Sequence, residues 1–109
     1  MEKKTEERMP PVHPGEILLE EFMKPLELSQ NRLARDTGMP QTRIQAIISG
    51  NRGISSDTAI RLAAYFGTTP EFWLHAQAGY ELEAAERSGK RQMIEQRIRL
   101  KRSAGQCIL

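Results

Sequence analysis

Two short amphipathic stretches separated by one glycine constrain this chain more than any other feature. Between residues 28 and 37, Leu28, Leu33, Ala34 and Thr37 recur at helical intervals, while Gln30, Asn31, Arg32, Arg35 and Asp36 occupy the opposite side. Ser29 suits an N-cap, because its hydroxyl can accept a bond from an amide left unpaired in the first helical turn. Gly38 follows directly and can take the left-handed conformation that ends a helix without steric strain. Pro40, with φ already near helical values and no amide hydrogen to leave unpaired, fits the first turn of a second helix. In that helix Ile44, Ile47 and Ile48 repeat at i, i+3 and i+4 and are expected to face the core. Ala34 is small enough for the second helix to cross close over the first, as two helices joined by a three- or four-residue turn must do.

Such a pair is a helix-turn-helix, and the residues left outside the core point to DNA. Gln41, Thr42, Arg43, Gln45 and Ser49 all carry groups that hydrogen-bond base edges or phosphates. Arginine can pair with guanine bidentately and glutamine with adenine. In this geometry the N-terminal residues of the second helix reach the groove. Gln41, Thr42 and Gln45 are therefore the expected base readers, with Arg43 shared between base and backbone. Ser29, Gln30, Ser49, Asn51 and Arg52 are the expected phosphate contacts. A polar face on an isolated helix is usually only solvated surface; the cap, the glycine turn and the small crossing residue favour DNA here.

Charge is segregated along the chain. The formal net charge of +2 divides into 0 for residues 1–11, −3 for 12–27, +3 for 28–67, −4 for 68–86 and +6 for 87–109. The positive module sets five arginines against Asp36 and Asp57, which is the sign needed beside phosphates. A patch this small implies weak, strongly salt-dependent binding by one subunit, so a homodimer is expected.

The 109 residues suit one helical domain with one core, expected over residues 12–86. Residues 1–11 are charged, lack periodicity and end in two prolines, which reads as a disordered lead. A first helix fits from His13 or Pro14 to the residue before Pro25, with Ile17, Leu18 and Phe22 on one face and Glu16, Glu20 and Glu21 on the other. Ser55 caps a fourth helix carrying Ala59, Leu62, Ala63 and Phe66; Ile54 and Ala59 suit a hydrophobic staple at its start. Gly67 ends it, and Thr69 caps a fifth helix opened by Pro70 and bearing Phe72, Trp73, Ala76 and Leu82. The expected fold is therefore all-α with five helices. Trp73 and Tyr80 are open between core and dimer interface, where aromatic anchors are enriched.

No apolar stretch approaches the roughly 20 residues that cross a bilayer, so no membrane association is expected. Without a leader pattern and with a single Cys107, a reducing cytoplasm is the expected compartment. His13 and His75 stand 62 positions apart without ligand partners at metal-site spacing, and there is no glycine-rich phosphate loop. Neither metal, cofactor nor enzymatic activity is expected.

Four segments then point to a family. VHPGEIL at 12–18, LARDTGMPQTRIQAIISGNRGIS at 33–55, DTAIRLAAYFGT at 57–68 and PEFWLHAQ at 70–77 together resemble the HigA (VapI-type) antitoxins, whose fold is a lambda-repressor-like helix-turn-helix. The resemblance implies a dimeric autorepressor that binds its operon's operator and sequesters a HigB-like, mRNA-cleaving toxin. It maps the turn onto Gly38 to Pro40 and the recognition helix onto Gln41 to Ser49. The family often has further basic residues early in that helix, whereas Gln41 and Thr42 stand here.

Residues 87–109 form a basic C-terminal extension outside the resemblance. Ile94, Ile98 and Leu100 alternate with charges as in an edge strand, yet Ile94 and Ile98 equally suit a helix. A solvated tail, a partner-binding arm and extra phosphate contacts all fit it. Three functions follow in order of support: antitoxin and repressor, stand-alone DNA-binding regulator, or interaction module that has lost DNA affinity.

Overall fold

His13 starts the first helix by accepting a hydrogen bond from the Gly15 amide on its Nδ1 at 2.9 Å, with Pro14 at the first helical position. In this computed structural model, which describes residues 11–105, α1 spans Pro14–Ile17 and runs on into a wider π-helical segment, Leu18–Met23. The lead expected at 1–11, apart from its last residue, and Cys107 lie outside the described residues. Then follow α2 (Gln30–Thr37), α3 (Gln41–Ile48), α4 (Ser56–Phe66), α5 (Pro70–Arg87) and α6 (Lys90–Gly105).

The punctuation is that of the sequence pattern. Ser29, Ser55 and Thr69 accept bonds from the amides of Arg32, Thr58 and Phe72 at 3.0, 3.3 and 3.1 Å. Gly38 and Gly67 close α2 and α4 with φ of 74° and 75°, a region that strains residues bearing a side chain. Pro40 departs slightly from expectation. It is the N-cap of α3 rather than a first-turn residue, because its ψ of 144° is what brings the chain out of the turn.

The extension is helical, so the described residues contain six α-helices rather than five and no strand. Arg91, Glu95 and Arg99 form i,i+4 ion pairs at 3.0 and 3.8 Å, a spacing that supports a helix and would be lost in a strand.

Leu18, Leu33, Ile44, Ile47, Leu62 and Trp73 are fully buried, joined by Met23, Met39 and Ile54. Phe22 and Phe66 are half-buried and stack on each other at 4.9 Å between ring centroids, with Phe22 lying 5.2 Å from Trp73. Trp73 is thus a core residue and not a dimer anchor: no part of it is exposed, and its Nε1 donates to Thr68 Oγ1 at 2.8 Å. Tyr80 is also turned inward, half-buried with its ring edge-on to His13 at 4.9 Å. Trp73 thus offers no surface to a second subunit, whereas Tyr80 keeps part of its ring exposed.

Gly15 sets the position of α1 on α3. A Cβ at this residue would collide with the Ile47 carbonyl, so the two backbones approach only because the side chain is absent. That contact fixes the C-terminal end of the helix that carries the candidate site.

Candidate nucleic-acid interface

The start of α3 is open on both backbone and side chains. Pro40 offers no side-chain cap, and the first amides bonded to its carbonyl are those of Arg43 and Ile44, at 3.0 and 3.3 Å. The amides of Gln41 and Thr42 therefore point outward at the positive end of the helix dipole, where anionic groups are favoured. Gln41, Thr42 and Gln45 are exposed, and their side chains make no hydrogen bond among the described residues. Their amide and hydroxyl groups are available for donors and acceptors outside the protein.

Arg43 behaves differently from expectation. Its Nη1 donates to Asp57 Oδ2 at 2.8 Å and lies 3.5 Å from Thr58 Oγ1, with 23% of its side chain exposed. It is a strut between α3 and α4 rather than a free base reader. Asp57 also accepts from Arg61 Nε at 3.0 Å, and the hydrogen bonds from Arg43 and then Arg61 hold its carboxyl below the usual value.

A second set of bonds fixes α2 to α4. Arg61 Nη1 donates to the Thr37 carbonyl at 2.9 Å, capping the end of α2. Asp36 accepts from Tyr65 Oη and from Arg32 Nε, both at 2.8 Å, and these bonds, Tyr65 first, lower its carboxyl. The five arginines counted from sequence are therefore not equally free. Arg32, Arg43 and Arg61 are in ion pairs, which leaves Arg35 and Arg52 as the exposed cations of the module without one among the described residues.

The remaining expected phosphate contacts fall around the same end of the molecule with differing freedom. Ser29 Oγ is exposed but already accepts the Arg32 amide; Gln30 beside it is half-buried. Ser49 Oγ donates to the Ala46 carbonyl and accepts from Asn51 Nδ2, each at 3.1 Å, so these two side chains brace one another. Arg52 projects from the loop beyond them.

One residue that matters to this loop gave no sequence signal. Gln77 of α5 accepts the Ile54 amide on its Oε1 at 2.9 Å, reaching a backbone 23 residues away. Gly53 makes room for it, since a Cβ there would come within 2.8 Å of the Gln77 amide nitrogen. The loop holding Asn51 and Arg52 is anchored through that bond. Among the described residues no helix is long and apolar enough to cross a membrane, and no three His, Cys, Asp or Glu side chains group as metal ligands.

Comparison with known proteins supports the helix-turn-helix fold. Residues 19–73 match the helix-turn-helix family. Virulence-associated protein I of Dichelobacter nodosus is 47% identical over 78 residues, 72% of each chain. An addiction module antidote protein of the HigA family from Coxiella burnetii superposes with a TM-score of 0.73 at 45% identity, covering 80% of this chain and 95% of that one. The Pseudomonas aeruginosa antitoxin HigA, solved with the higBA promoter, superposes with a TM-score of 0.72 at 40% identity, covering 76% and 90%.

Proposed function

This chain belongs to the HigA-type helix-turn-helix family of DNA-binding regulators, and from that premise we propose that it represses its own operon as a homodimer and neutralises a HigB-like, mRNA-cleaving toxin. The observation that carries the DNA half is the unengaged N-terminal face of α3. The side chains of Gln41, Thr42 and Gln45 are exposed and make no hydrogen bond among the described residues, while the isoleucines of the same helix are held against the core. The glutamine amides match the donor and acceptor pairs that adenine displays in the major groove. Arg52 and Arg35 would neutralise phosphates on either side, and the Arg43–Asp57 strut would keep α3 at a fixed angle during docking. The P. aeruginosa relative solved with its promoter supports the same use of the fold.

The toxin half rests on the relatives' naming as antidotes and antitoxins. Co-expression with the product of the adjacent gene tests it. Co-purification of the two proteins, with the neighbour's RNA cleavage suppressed in the complex, is the expected result. Specific operator binding without any such partner would instead identify a stand-alone regulator.

A further inference from the structure

Residues 49–55 join α3 to α4 and carry two of the expected phosphate contacts, Asn51 and Arg52. The first half of this loop is fastened to α3: the amides of Asn51 and Arg52 both reach the Ala46 carbonyl, at 2.9 and 3.1 Å, and Gly50 turns the chain with φ of 84°. The second half is held from elsewhere. Among the described residues the Ile54 amide donates to Gln77 Oε1 of α5 and to nothing else, and Ile54 is a buried residue. A buried amide that loses its partner is costly, so the course of the chain between Arg52 and Ser55 depends on where the Gln77 amide stands.

Gln77 is itself fixed on two sides. Its Nε2 donates to Glu81 Oε2 at 2.8 Å, about one helical turn further along α5. Turning the amide over would set Nε2 against the Ile54 amide and Oε1 against the Glu81 carboxylate, replacing two bonds by two repulsions. The carboxylate therefore selects the orientation that offers oxygen to Ile54. Gly53 leaves the room for it, since a Cβ there would lie 2.8 to 2.9 Å from the three terminal atoms of the Gln77 side chain. Glu81 has no other engagement in the subunit: it is exposed, makes no ion pair among the described residues, and has the Gln77 amide as its one hydrogen-bond partner there. By charge alone such an acid works against DNA binding, because it repels phosphates.

We infer that Glu81 and Gln77 are a positioning pair for operator DNA: the carboxylate orients the amide, the amide holds the Ile54 backbone, and that backbone sets the placement of Asn51 and Arg52 against phosphate. Neither side chain has to touch DNA. This role rests on the operator-binding reading above, and it gives an acidic residue of α5 a favourable part in binding an anion.

Titration of the full chain with operator DNA, paired with hydrogen exchange at the Ile54 amide, tests the pair. Glu81→Ala makes the protein more positive by one charge, so electrostatics alone would tighten binding; the pair predicts operator binding about fivefold weaker and faster exchange at Ile54. Glu81→Gln, whose side-chain oxygen still accepts the Gln77 amide, is expected to keep wild-type exchange and at least wild-type affinity. Gln77→Glu sets two carboxylates together and should weaken binding. Adding Glu81→Gln to that chain brings back the net charge of the wild type and an oxygen for Ile54, and should restore affinity. Glu81 is exposed, so its variants leave the core intact and keep the test decisive should Gln77→Glu fold poorly. Tighter or unchanged operator binding by Glu81→Ala, or failure of a folded swapped pair to recover, would overturn the inference. Faster exchange at Ile54 with undiminished affinity would do the same, reducing the bond to a brace of the fold. In each of these cases the wild type still binds its operator and the functional reading stands. A wild type that does not bind operator DNA contradicts that reading, and the positioning role falls with it.

Discussion

The Arg43 guanidinium donates to the Asp57 carboxylate at 2.8 Å and so ties α3 to the first turn of α4. A residue placed among the base readers by its sequence position is thereby committed to holding that helix in place. Arg43→Ala and Asp57→Ala are each expected to weaken operator binding about equally for every single-base variant of the operator. Binding measured across such a panel checks this; loss confined to one base pair in Arg43→Ala would return that residue to the base-reading set.

Gly15 offers a packing test remote from DNA. Gly15→Ala drives a methyl group into the Ile47 carbonyl, and overpacking of this kind costs about 1–3 kcal/mol. Denaturant unfolding should show a midpoint shift of that size. Operator affinity should fall with it, because the same contact positions the end of α3. Unchanged stability would mean that α1 is free to move away.

His13 gives the fold a pH dependence with a defined sign. Burial lowers its pKa below the usual 6.5, and its Nδ1 must stay unprotonated to accept the Gly15 amide. The folded state thus binds this proton less readily than the unfolded chain. The resulting stability is present above pH 6.5 and declines as the pH falls below it. His13→Ser keeps a capping oxygen that does not titrate there, so its unfolding free energy should lose this slope between pH 7.5 and 5.5.

Arg52 stands in the loop anchored by Gln77 and has no ion-pair partner among the described residues. If it meets phosphate, Arg52→Ala should weaken operator and random DNA alike and lower the slope of log affinity against log salt by about one. Gln77→Ala removes the bond to the Ile54 amide and should weaken binding without changing that slope by a full unit, since it removes no charge.

The parts of the fold legible in the sequence are those set by local chemistry. Ser29, Ser55 and Thr69 cap because their oxygens reach an amide three residues on; Gly38 and Gly67 end helices through their own φ; Ile44 and Ile47 follow helical periodicity into the core. What escaped depends on contacts distant in sequence. Nothing near Arg43 indicates that Asp57, fourteen residues later, will hold it, and nothing near Gly53 anticipates Gln77. Met39, inside a turn, is buried because the helices close around it. Trp73 followed the same helical period as its neighbours, but the face that period buries includes Tyr80, whereas the exposed face runs through Glu71, His75, Ala78 and Leu82. The extension was ambiguous in its apolar pattern, and its i,i+4 charges were the better guide.

The claim on which the rest depends is that the exposed face of α3 reads bases, and footprinting of the DNA adjoining the gene with wild type and Gln41→Ala, Gln45→Ala protein tests it most directly. Wild type is expected to protect two inverted half-sites about 34–36 Å apart, one duplex turn. The double variant should lose that protection while binding random DNA as before, each glutamine contributing about 1–3 kcal/mol of discrimination. Absence of a protected inverted repeat, or equal protection by the variant, would contradict the assignment of α3 as the reading helix.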